Sequence, residues 1–379
     1  MPQLDSLRTL AVLGVLVAHN WNPEKLPWIL AGVSWGDLGV RLFYVLSGYL
    51  ITRILLGCRA LAETRTQRGS FLIRQFYARR FLRIFPIYYV VVGLALVVNV
   101  SPAREMWPWL VSDTTNLYVA LYGHWVGRLG HFWSLAVEEQ FYLAWPWVVL
   151  FAPRRWLGPV IAAAICLAPL YRLFALIRFP QDFASGELAR DALTLGSLDS
   201  LGAGALLALA IDGGLGNRSA RWSASRVLLP IAGSVYVLSL LIYQYLHVTM
   251  AHIIVGNLAA SGLFYWLVSA ASRGFGGPVG HVMKLKPFVY LGKISYGIYV
   301  YHPFPPALLA LAFARLGVGY EQSGPVNFAL STLLTVAVAA ASWRFFERPI
   351  NGLKRHFRYA PSARVAALAR ASADTTLSV

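Results

Sequence analysis

Residues 4–21 read LDSLRTLAVLGVLVAHNW. The run has the length of a bilayer-crossing helix, about 20 residues, and its centre is apolar. Yet it carries Arg8 near one end and His19 near the other. An ionisable group at membrane depth costs about 2.5–3.5 kcal/mol or more, so each is a functional candidate by default. On a helix the two side chains fall within about 20° of one face and about 16 Å apart along the axis. The pattern predicts a membrane helix with a basic residue at its mouth and a histidine deep within it, lining one passage. The plain alternative is a histidine satisfied by a neighbouring carbonyl, with Arg8 snorkelling to the interface.

The rest of the chain extends this reading. Of 379 residues, 58% are hydrophobic and only 13% charged, and the mean hydropathy is +0.57. Backbone groups in lipid must be satisfied within their own segment, so the apolar runs should be helices. The ten-residue alternation of a membrane barrel is missing. Ten spans are predicted, at about 5–22, 36–56, 80–100, 131–151, 157–177, 192–211, 227–246, 250–271, 288–312 and 326–346. Pro303, Pro305 and Pro306 should interrupt the ninth. Residues 107–122 are short and mixed, which fits an interfacial or re-entrant piece. The predicted class is therefore an all-α polytopic bundle of about ten transmembrane helices.

A net charge of +17 raises the question of nucleic acid. The distribution points to a membrane instead. Lys and Arg concentrate on alternate loops, as the positive-inside rule requires. Arg8, the 53–83 loop, Arg154 and Arg155, the 218–226 loop, the 273–293 loop and the segment from Arg344 fall on one side. Lys25, Arg104, Arg128, Arg172, Arg178, Arg190 and Arg315 fall on the other. Both termini are thus expected in the cytoplasm, with the lipid bilayer as the partner and no nucleic acid. Cys58 and Cys166 suggest neither a disulfide framework nor a zinc site. Residues 1–22 lack the basic start and small-residue cleavage site of a signal peptide. No internal repeat of the transporter kind is evident. Residues 1–350 read as one membrane-embedded domain and 351–379 as a basic, largely disordered cytoplasmic tail.

Three further places carry charge at depth. In FYARRFLRIFP, residues 76–86, Arg80 and Arg83 lie one turn apart and share a face. Their guanidinium forks suit a ligand with several phosphates. Arg74 and Arg79 read as topogenic anchors. In HFWSLAVEEQFYLAWP, residues 131–146, Glu138 and Glu139 are adjacent. They point about 100° apart, so one should face the passage and the other a packing partner. At least one should be paired with Arg or His, or be protonated. His131 and Ser134 sit a turn apart near the outer end, and Trp133 and Trp145 read as aromatic belt. Arg41, Ser47, Asp199, His302, Glu347 and Arg348 complete the set. Asp199, His302 and Glu347 are read first as structural pairs, and small residues after Asp199 permit close helix packing.

These segments together resemble the membrane-bound acyltransferase-3 family. LDSLRTLAVLGVLVAH, GVRLFYVLSGYLIT, FYARRFLRIFPIYY, HFWSLAVEEQFYLAWP, SLDSLGAGALLA, LGKISYGIYVYHPF and RFFERPI follow in family order over residues 4–350. The resemblance implies transfer of an acyl group, usually acetyl, from acyl-coenzyme A to a hydroxyl of a carbohydrate, polysaccharide or similar acceptor. It implies a multi-pass protein of the bacterial plasma membrane. His19 would be the catalytic histidine, Arg8 its basic partner, Arg80 and Arg83 the Arg-x-x-Arg element, and Glu138 and Glu139 the fourth-block carboxylates. The sequence departs from the pattern at Arg41, often acidic, and at Tyr301, often tryptophan. Many relatives carry an extracytoplasmic esterase-like domain, which this chain is expected to lack.

The expected chemistry has His19 as general base on the acceptor hydroxyl. Acylation of His19 itself is the alternative route. A carboxylate, Glu138 or Glu139, would fix the imidazole tautomer. Arg8, Arg80 and Arg83 would hold the coenzyme phosphates. Ser134, Arg41, Asp199 and His302 are expected to line the passage, with Arg41 or a tyrosine stabilising the oxyanion. No metal is expected, because no segment has ligand spacing. The competing class is a transporter or flippase of a glycan or anionic solute.

Overall fold

A computed structural model describes residues 1–21, 32–178, 191–213, 218–321 and 324–359. All regular structure among these residues is helical. The helices in chain order are α1 Pro2–Asn20, α2 Trp35–Glu63, α3 Gly69–Val98, α4 Trp107–Val111 and α5 Thr115–Tyr122. Next come α6 Phe132–Phe151, α7 Arg154–Arg178, α8 Leu198–Ile211 and α9 Arg218–Leu246. The last are α10 Asn257–Arg273, α11 Lys286–Lys293, α12 Ser295–Tyr301, α13 Pro305–Arg315 and α14 Pro325–Ser342.

Among the described residues, seven helical segments are long and apolar enough to cross a membrane, or eight if the bent pair α12 and α13 is one span. The expected ten is not established. α1 and α6, at 19 and 20 residues, match the others in length, but they are outside that set, and both carry ionisable residues. The ninth span breaks where the prolines predict. α12 and α13 meet at a 52° bend, because Pro303, Pro305 and Pro306 bring no N–H to the helical ladder. Residues 107–122 form the short pair α4 and α5. The hydroxyls of Tyr88 and Tyr89, in the middle of α3, donate to the carbonyls of Leu110 and Val111. That fits the re-entrant reading.

Two expected loops are largely helix. α2 runs on to Glu63 and α3 starts at Gly69, so most of the 53–83 loop extends the two helices. Residues 218–226 open α9 rather than preceding it. Lys25, Arg190 and most of the tail from 351 onward lie outside the described residues.

The core centres on α2, which packs against α1, α6 and, most extensively, α8. Glycine makes the α2–α8 contact possible. A Cβ on Gly204 would stand 2.1 Å from the Val45 carbonyl oxygen, and one on Gly48 2.0 Å from that of Leu201. The two backbones therefore touch directly, as the small residues after Asp199 predict. Behind this contact lies an ion-pair knot. Arg172 of α7 and Asp199 of α8 are both fully buried and meet at 2.6 Å. Arg41 of α2 lies 3.6 Å from Asp199 and 2.7 Å from Asp37. The knot ties α2, α7 and α8 together. It corrects two expectations: Arg172 belongs to the core, not to an outer loop, and Arg41 is held by carboxylates instead of lining a passage. For Asp199 it agrees with the first reading, a structural pair. Trp145 is also misread as belt: it is buried, and its indole N–H donates to Thr52 Oγ1 at 2.8 Å.

Candidate active site

One face of α6 organises the site. Tyr142, Glu138 and Ser134 recur every fourth residue, so they stack along that face, and His131 stands at its start. The Tyr142 hydroxyl donates to Glu138 Oε2 and the Ser47 hydroxyl to Glu138 Oε1, both at 2.9 Å. Glu138 is thus held by two hydroxyls, not by Arg or His. Glu139, a third of a turn away, faces a separate lateral groove with Asp113 and Gln140. The two adjacent carboxylates diverge as helical geometry requires.

Glu138 borders a cavity of about 290 Å³ between α1, α2, α3, α6 and α12. Arg8, Arg80 and Arg83 line it, with Ser47, Tyr142, Ser134 and Tyr299. Arg80 lies over the Tyr142 ring, 5.6 Å from its centroid. Arg83 lies 5.3 Å from the Trp343 centroid and donates to the Lys293 carbonyl. Arg8 bonds Asp5 at 2.6 Å, its side chain 28% exposed. Among the described residues, neither Arg80 nor Arg83 makes a carboxylate contact within salt-bridge distance. Arg79 is different: it donates to the carbonyls of Lys354 and Phe357 and stands over Tyr359. It braces the C-terminal segment outside this cavity, in line with its reading as an anchor.

The cavity ends at a pair of hydroxyls. Ser134 and Tyr299 share a short hydrogen bond, and Tyr299 also donates to the His131 carbonyl at 3.1 Å. Both hydroxyls reach the His131 carbonyl, and this septum is joined through His131 to a second, smaller compartment of about 210 Å³, lined by His19, Asn20, Arg128, His131 and prolines 303 and 306. Arg8 and His19 therefore serve two compartments on either side of one septum. His19 is exposed within the protein's surface, and its Nδ1 sits 2.9 Å from the Val15 carbonyl. A carbonyl only accepts, so Nδ1 carries the proton and Nε2 is left as the basic nitrogen. The tautomer is fixed by the backbone. Neither glutamate contacts His19, which corrects the expected role for Glu138 or Glu139.

Three histidines gather around the second compartment. His302 stands 4.8 Å from His19 and 5.1 Å from His131, centroid to centroid and edge-on in both cases. Among the described residues, no three His, Cys, Asp or Glu side chains are grouped as metal ligands would be. Sequence reading missed Tyr44, Tyr142 and Tyr299. The first two carry a legible signal: Tyr142 continues the four-residue spacing of Ser134 and Glu138, and Tyr44 precedes Ser47 by one turn. Tyr299 had none, since it meets Ser134 across 165 residues.

A family model described as an acyltransferase domain, of the acyltransferase-3 type, matches residues 1–344. The chain belongs to the acyltransferase-3 family. Its similar relatives include the peptidoglycan O-acetyltransferase OatA of Listeria monocytogenes, 26% identical over 94% of this chain and 57% of that protein. The O-acetyltransferase OatA of Staphylococcus aureus is 27% identical over 93% of this chain and 57% of its own length. The putative peptidoglycan O-acetyltransferase YrhL of Bacillus subtilis is 27% identical over 93% and 55%. The acyltransferase-3 chain thus spans a little over half the length of these relatives. No solved structure matches it.

Proposed function

We propose that this chain is a membrane-bound O-acyltransferase that moves an acetyl group from acetyl-coenzyme A to a hydroxyl of a cell-envelope carbohydrate. The observation that carries the reading is the pair of compartments meeting at the Ser134–Tyr299 septum. One offers Arg80 and Arg83 with no carboxylate in contact, the other a histidine with a free basic nitrogen. The names of the similar relatives make peptidoglycan the first acceptor to test. The arginine-rich end faces the cytoplasm of a bacterium, in keeping with the positive-inside rule.

In this reading the coenzyme phosphates sit against Arg8, Arg80 and Arg83, and the thioester arm follows the α6 face past Tyr142 and Glu138. The acceptor hydroxyl enters beside His19. His19 Nε2 takes its proton while the oxygen attacks the thioester carbonyl, a step for which a general base contributes about 10²–10⁴-fold. The carbon–sulfur bond breaks, and the thiolate takes up the proton that His19 holds. Arg41 is committed to Asp37 and Asp199, so the oxyanion donor falls to a tyrosine. Tyr299 stands at the junction, and its hydroxyl hydrogen would turn from the His131 carbonyl to the oxyanion.

The test is release of free coenzyme A by detergent-purified protein given acetyl-coenzyme A and peptidoglycan fragments. Wild type should release it only with acceptor, and His19→Ala should lower the rate by about 10²-fold or more while binding the coenzyme normally. Equal rates for both proteins would remove His19 from the mechanism. Absence of both release and binding would favour the transport reading.

A further inference from the structure

His302 is fully buried and stands between His19 and His131. Its Nδ1 lies 2.6 Å from the Tyr299 carbonyl, so Nδ1 is the protonated nitrogen. Its Nε2 is buried without a partner. An imidazolium there would bury a charged N–H with nothing to receive it, which costs far more than a bare lone pair. His302 is therefore held as a neutral ring whose free nitrogen can only accept. A buried acceptor left empty beside a base that becomes an N–H donor during turnover calls for a reason.

We propose that His302 is a positioning residue for His19, accepting at Nε2 the N–H that His19 gains from the acceptor hydroxyl. The inference rests on His19 being the general base. When Nε2 of His19 takes the proton, the new imidazolium needs an acceptor to hold it until the thiolate recovers that proton. The two ring centroids stand 4.8 Å apart and edge-on, a separation that a nitrogen-to-nitrogen hydrogen bond between two imidazoles spans. The Tyr299 carbonyl keeps His302 in the accepting tautomer throughout, as the third group of a catalytic relay orients its base.

Asparagine and glutamine separate this role from a structural one. His302→Asn keeps a donor near the Nδ1 position and removes the Nε2 acceptor. His302→Gln places an acceptor near Nε2 and gives up the Nδ1 donor. With acetyl-coenzyme A and peptidoglycan fragments, Asn should lower kcat by about tenfold or more with the KM for acetyl-coenzyme A unchanged, and Gln should stay within about threefold of wild type. In the His19→Ala background the Asn change should cost nothing further, since the two residues act as a unit. Full kcat in His302→Asn, or equal losses in Asn and Gln, would overturn the proposal, because a merely structural histidine is better replaced by Asn. If the Asn variant does not purify folded, His302→Met against His302→Gln makes the same comparison at matched length, with loss expected for Met alone. Wild type and His19→Ala are assayed alongside. Insensitivity to His19 would overturn the general-base reading, and this inference with it. Dependence on His19 without dependence on the His302 acceptor would overturn this inference alone.

Discussion

Two sets of arginines lie within this bundle, and they differ in what they touch. Arg172 and Arg41 are buried against carboxylates, with Asp199 fully enclosed between them. Arg80 and Arg83 lie against aromatic rings and a backbone carbonyl, on the wall of a cavity. The first set is neutralised and joins three helices. The second keeps its charge available for a ligand that brings anions of its own. Residue type is the same in both; the partner decides between clamp and binding site.

The comparison breaks most sharply at the clamp. Asp199→Ala takes from buried Arg172 the carboxylate it meets at 2.6 Å and leaves Arg41 with Asp37, and breaking a buried pair costs about 3–5 kcal/mol. A steep fall in thermal stability in detergent, or loss of folded protein, is expected; an unchanged melting curve would mean that Asp199 is not holding the knot. The cavity set should behave in the opposite way. Arg80→Ala with Arg83→Ala should leave the melting curve nearly in place and weaken acetyl-coenzyme A binding by about 10–100-fold, at about 1.5–3 kcal/mol for hydrogen bonds to a charged group. A titration of acceptor and coenzyme separately would show whether the loss is confined to the coenzyme. Arg79 sharpens the contrast at the small end. Its bonds to the Lys354 and Phe357 carbonyls are worth about 1 kcal/mol, so Arg79→Ala should lower stability slightly and leave coenzyme affinity unchanged. Weakened coenzyme binding there would move Arg79 from brace to site.

The same contrast explains what was legible in the sequence. The all-helical membrane class is readable, though not the count of spans, because lipid admits few backbone solutions, and the proline break in the ninth span is readable because a missing N–H is a local fact. The divergence of Glu138 and Glu139 followed from helical geometry alone. Pairing was not readable in that way. Arg172 sits inside a predicted span, yet it was assigned to a loop because its counter-ion, Asp199, is a helix away. Arg41 looked like a passage residue until Asp37 and Asp199 were seen to take up its charge. The histidines at 19, 131 and 302 come from three distant segments, so no spacing rule announces their meeting. Trp145 carried the composition of a belt residue, and only packing against Thr52 shows it to be core.

The bend between α12 and α13 has an electronic consequence as well as a mechanical one. In an unbroken helix the Tyr299 carbonyl would receive the N–H of residue 303, but that residue is proline and has none. The orphaned oxygen is taken by His302 Nδ1 instead. The proline that interrupts the span thereby chooses which nitrogen of the neighbouring imidazole carries hydrogen, and turns a gap in the backbone ladder into the setting of a proton.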